Sequence, residues 1–100
     1  MSLGQRQRTF TLLVSDLICW AYNQGYEITF GDAWAHDGHK DNSFHYIRLA
    51  IDLNLFKNEV YLTQTEDHKP LGDYWKSLHP KCTWGGDFSN PDGNHYSFGE

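Results

Sequence analysis

Three residues have the types and positions that a metal-dependent hydrolysis would use, namely His45, Asp52 and His95, and Asp92 stands three residues ahead of the last of them. Two imidazoles and one carboxylate are a ligand set for catalytic zinc, leaving the fourth place of a tetrahedral ion open for water. A second carboxylate is then needed to take the proton as that water attacks a carbonyl and to hand it to the leaving amine, and Asp92 is the candidate. Spacing alone also fits a purely structural arrangement, with Asp52 capping a turn and His95 filling an edge of a sheet, and by itself it favours that arrangement. The other histidines carry no such placement. His36 and His39 lie in a polar stretch, His68 and His79 flank a helix, and all four are expected to be ordinary surface residues.

Positioning those side chains requires elements that can be read from periodicity. From Thr9 to Gln24, Phe10, Leu13, Val14, Leu17, Ile18 and Ala21 fall on one helical face, and Gly25 is placed as a stop. Met1 to Gly4 are assigned no part in the fold. Tyr26 to Phe30 alternates like a half-buried strand, and Gly31 to Asn42 reads as a polar surface loop. In Arg48 to Phe56, Leu49, Ile51, Leu53 and Leu55 share one side of a strand, while Arg48, Ala50, Asp52 and Asn54 share the other, so Asp52 must project away from the core. Lys57-Asn58-Glu59 supplies a polar turn into Val60-Tyr61-Leu62, a hairpin. Pro70 opens a short helix that runs to about Leu78. The last twenty residues are rich in Gly, Pro, Asn and Asp, and Tyr96-Ser97-Phe98 alternates as a final strand. The order of elements predicts an α+β fold, a small mainly antiparallel sheet with flanking helices.

With 100 residues, 39% apolar and 16% aromatic, the chain has room for one domain, residues 1–100, with one dense core. A formal net charge of −5 and the absence of any basic run exclude a nucleic-acid surface. No stretch is long and apolar enough for a membrane span, and no secretory signal opens the chain. Cys19 in the first helix and Cys82 in a late loop do not form a disulfide framework and are expected to be buried or idle thiols.

Two stretches are familiar in combination. Ser43-Phe44-His45-Tyr46-Ile47-Arg48-Leu49-Ala50-Ile51-Asp52 resembles the S-x-H-x-x-G-x-A-x-D signature of the zinc D-Ala-D-Ala carboxypeptidase and L-alanyl-D-glutamate endopeptidase family, which includes many phage endolysins. Trp84-Gly85-Gly86-Asp87-Phe88 and Asp92-Gly93-Asn94-His95-Tyr96 are similar to its W-G-G-D-W/F and D-x-x-H-F/Y elements, in the same order. Leu49 to Phe56 and Thr65 to Trp75 also resemble the short phage-borne members, so the likeness spans about residues 26 to 98.

That resemblance implies the small fold shared with the Hedgehog signalling domain. It makes His45, Asp52 and His95 the zinc ligands and Asp92 the catalytic carboxylate. It also implies a peptidoglycan stem peptide as substrate, cut beside a D-residue by a monomeric, phage-encoded enzyme. Such an enzyme works in the host periplasm or cell wall, reached from the cytoplasm, or in the virion. A non-catalytic peptidoglycan-binding or virion module derived from the same fold is the alternative. Three departures bear on the choice. Arg48 replaces the signature glycine and is expected on the side of Asp52, where it covers the site or binds a substrate carboxylate. The arginine that the family commonly carries before the histidine, where it helps stabilise the oxyanion, is missing around Asp32-Ala33-Trp34-Ala35, so either Arg48 takes over that catalytic role or activity is reduced, and the loop from Gly31 to Asn42 is short. Trp34, Tyr46, Trp84 and Tyr96 are expected as core or cleft wall. Asp87 is expected either to order its loop or to orient a ligand imidazole.

Overall fold

The computed structural model describes residues 1–34 and 44–99. His36, His39 and most of the expected polar loop lie outside the described residues. Helix α1 runs Leu3–Asn23 and buries Phe10, Val14, Leu17 and Ala21, the face expected from the sequence. It begins about two turns before Thr9. Ser2 caps it, accepting from the Gln5 amide at 3.1 Å while the Ser2 amide donates to the Gln5 side chain at 2.8 Å, and this reciprocal box satisfies end groups that apolar periodicity does not report. Gly25, at φ +90°, ends the helix in the left-handed region where glycine is unstrained.

Strand β1 (Glu27–Phe30) pairs antiparallel with β2 (Ala50–Lys57), and β2 turns back into β3 (Val60–Leu62). Asn58 and Glu59 are both at positive φ (51° and 65°), the pattern of a tight two-residue hairpin turn. A 3₁₀ turn at Thr65–His68 leads into α2 (Lys69–Leu78), with Pro70 in its first turn as expected. Strand β4 (Cys82–Trp84) and β5 (His95–Phe98) complete a five-stranded sheet in which β2 pairs with β5 and β5 with β4. The expected α+β class with an antiparallel sheet therefore holds. Cys82 is in a buried edge strand rather than a loop, since three residues are too few to show alternation. Cys19 is an exposed thiol, not a buried one.

Both helices cover one face of the sheet. Leu17, Ala21, Leu71 and Trp75 meet Leu49, Leu53, Leu55, Tyr96 and Phe98 in one cluster, all of them closed to solvent. The Trp75 indole donates to the carbonyls of Thr83 and Ser97, both at 3.1 Å, tying α2 to β4 and β5. Filling this face leaves the opposite side of β2 and β5 to carry Asp52 and His95.

Candidate metal centre

Register decides the site. Asp52 of β2 and His95 of β5 are direct partners across the ladder, so both side chains leave the sheet on the same face, away from the helices. His45 arrives from a different element, a 3₁₀ turn at Phe44–Ile47 that packs on β2 and is closed by the Leu49 amide donating to the Phe44 carbonyl at 2.9 Å. The strand begins at Ala50 rather than Arg48 because the chain is still turning there: Arg48 has φ +57°. Gly31 follows the end of β1 at Phe30. The Gly31 amide donates to the Asp52 carbonyl at 2.8 Å and the Asp52 amide to the Asp32 carbonyl at 2.7 Å, extending the β1 ladder past Phe30.

Asp52 Oδ1 lies 3.2 Å from His45 Nε2 and 3.8 Å from His95 Nδ1, and the two imidazoles meet edge to face with centroids 5.2 Å apart. One ligand atom from each residue falls within 4.8 Å of the others. Ligand atoms about 2 Å from a shared tetrahedral ion would be about 3.4 Å apart, so the set needs to move little to grip one. Asp52 Oδ1 is buried and has no hydrogen-bond partner of good geometry. A buried carboxylate oxygen in that state is costly unless a cation or donor meets it, and both neighbours are imidazole nitrogens that ligate zinc when neutral. The residues present therefore fit the metal.

The glycine-rich segment fixes the His95 side. A side chain on Gly85 would collide with the Asp92 carbonyl and stand 2.7 Å from His95 Cβ, so only glycine lets the two segments touch. The Gly85 carbonyl accepts from the amides of Asp92 (2.9 Å) and Phe88 (3.1 Å), and the His95 amide donates to the Asp92 carbonyl at 3.2 Å. Asp92 is exposed, and the closely grouped ligand atoms do not include its carboxylate. It lines an adjoining cavity of about 240 Å³ with Asn54, Gln64, Thr65, His68 and Asn94. The Phe88 ring, 5.2 Å from the His95 ring, is a neighbour of the site that the sequence reading passed over, although it fills the aromatic place of W-G-G-D-W/F.

Other expected residues are elsewhere. Arg48 is outside the strand, so the alternation that put it beside Asp52 does not apply, and its guanidinium lies 4.0 Å from the centroid of the Trp34 ring. A non-glycine residue in this backbone region costs about 1 kcal/mol. Trp84 and Tyr96 are core, as expected, while Trp34 is half exposed. Asp87 pairs with Lys76 of α2 at 2.8 Å. His68 is not a surface residue: it is only 3% exposed, and its Nδ1 shares a 2.8 Å hydrogen bond with the Tyr96 hydroxyl. Burial, opposed weakly by Asp67, lowers its pKa to about 4, so it is neutral near pH 7. His79 is half-buried, accepts from the Lys81 amide at 3.0 Å and packs edge-on against Phe98.

A family model described as D-alanyl-D-alanine carboxypeptidase matches residues 36–98. The chain belongs to this peptidase family. No curated protein matches it. The matched residues of the D-alanyl-D-alanine carboxypeptidase family span all three members of the His45, Asp52, His95 group, the Gly85 contact and Asp92. Among the described residues, no helix is long and apolar enough to cross a membrane.

Proposed function

We propose that the chain is a single-domain, monomeric zinc peptidase that hydrolyses peptidoglycan stem peptides, of the D-Ala-D-Ala carboxypeptidase or L-Ala-D-Glu endopeptidase kind. The observation that carries this reading is the convergence of His45, Asp52 and His95 around a buried, unsatisfied Asp52 oxygen. Bound zinc would supply Lewis acidity toward an attacking water and a scissile carbonyl. The protein's part is then proton handling and alignment. Asp92 accepts a proton from the water on a carboxylate oxygen and delivers it to the amine nitrogen as the C–N bond breaks. Its exposure leaves it free to reach substrate, and the Gly85 carbonyl anchors its backbone. The likeness of residues 49–56 and 65–75 to short phage-borne members supports a lytic role at the cell wall.

Metal content by elemental analysis, and release of amino groups from purified peptidoglycan, test this for the unmodified chain and Asp92→Ala. One zinc per chain is expected in both, with activity lower in the variant by a factor of about 10² to 10⁴. Zinc bound by both with no hydrolysis by either would remove catalysis and favour a binding module. A chain that takes up no zinc would remove the centre itself.

A further inference from the structure

Arg48 keeps a side chain where the backbone disfavours one. At φ +57° a glycine would be unstrained, yet this position carries a long cation stacked at 4.0 Å on the half-exposed Trp34. The stack branches from two points that touch the metal group. The Arg48 amide donates to the His45 carbonyl at 3.4 Å, and Trp34 follows two residues after Asp32, whose carbonyl accepts from the Asp52 amide. Lys69 and Lys76 are each paired with a carboxylate, whereas no described carboxylate pairs with Arg48. Stacking occupies the flat face of a guanidinium and fixes its plane, and the N–H donors in that plane stay available as a fork that matches a carboxylate. In a chain of net charge −5, an exposed arginine that directly follows the 3₁₀ turn of His45 is suited to recognise a substrate anion.

We propose that Arg48, held on Trp34, is the specificity residue of the site and binds the free α-carboxylate at the C-terminus of the substrate. This rests on the peptidase reading. In a peptide cut at its last bond, that carboxylate lies within about 4 Å of the scissile carbonyl, so a cation on the residue that follows the His45 turn is well placed to select it. The role makes the chain a carboxypeptidase rather than an endopeptidase.

The test uses N-acetyl-L-Lys-D-Ala-D-Ala as the free acid and as the C-terminal amide. Hydrolysis is followed with the zinc-loaded chain, and binding by calorimetry with zinc-loaded Asp92→Ala. The acid is expected to be preferred over the amide by about 10- to 100-fold in both measurements. Adding Arg48→Gly, which the local backbone accepts without strain, should bring the acid down to the amide's level, and Arg48→Lys should retain part of the preference. An acid-to-amide ratio unchanged by Arg48→Gly, or an equal loss on both peptides, overturns the proposal, since an arginine acting on the oxyanion or on the fold would not distinguish them. If neither peptide is hydrolysed, the D-Ala-D-Ala carboxypeptidase reading fails. The binding ratio, with and without Arg48→Gly, still decides the role of Arg48.

Discussion

His95 and Tyr96 are consecutive on β5, and because successive side chains leave a strand on opposite faces, each serves a different buried imidazole. On one face, His95 joins His45 around the carboxylate of Asp52. On the other, Tyr96 hydrogen-bonds His68 inside the helix-covered side. The first group brings a carboxylate oxygen and two imidazole nitrogens within 4.8 Å of one another, which is what a cation needs. The second has a phenol whose pKa burial pushes further upward and an imidazole whose pKa burial pushes down, so both are neutral and satisfy each other. Burial of histidine thus says little about function until the charge of its partner is known.

The largest effect that would break this contrast is expected from Gly85→Ala. The added methyl meets the Asp92 carbonyl and His95 together, so stability should fall by about 3 kcal/mol or more and zinc affinity with it, read from the urea midpoint and a metal titration. If stability falls and zinc binding does not, the glycine contact belongs to the fold alone.

His68 gives the next effect, through pH. Its folded pKa of about 4 lies below the ordinary 6.5, so the unfolded chain binds the extra proton first as pH drops. Its contribution to stability is intact above pH 6.5, is lost as pH falls from 6.5 to 4, and levels off below 4; the loss amounts to about 3 kcal/mol. His68→Gln should flatten that part of the stability profile in denaturant titrations across pH and leave zinc binding at pH 7 unchanged. A variant that loses zinc would join the two histidine groups that the structure keeps apart. The smallest effect belongs to Asp87→Ala. Its pair with Lys76 is half exposed, so less than about 1 kcal/mol should be lost, and unaltered zinc affinity would confirm that Asp87 does not orient a ligand imidazole.

Much of the site was legible because its parts are coded locally. The alternation from Leu49 to Leu55 placed Asp52 on the polar face, and the two motifs named His45, His95 and Asp92. His68 was misread because a histidine after a polar turn looks solvated, and only the packing of Tyr96 beneath it shows otherwise. The α1 start was missed because its first two turns carry little apolar pattern, and Arg48 was misplaced because alternation was extended through a left-handed residue.

The sequence by itself determined which faces of α1 and β2 are apolar, where the hairpin and α2 fall, and which family the chain resembles, since periods of 3.6 and 2 and turn residues act over a few neighbours. The tertiary structure decided that Asp52 and His95, 43 positions apart, are ladder partners, that a 3₁₀ turn brings His45 to them, and that His68 is buried against the Tyr96 hydroxyl. Those contacts depend on strand pairing and side-chain packing between distant segments, and no local pattern encodes the register that makes them.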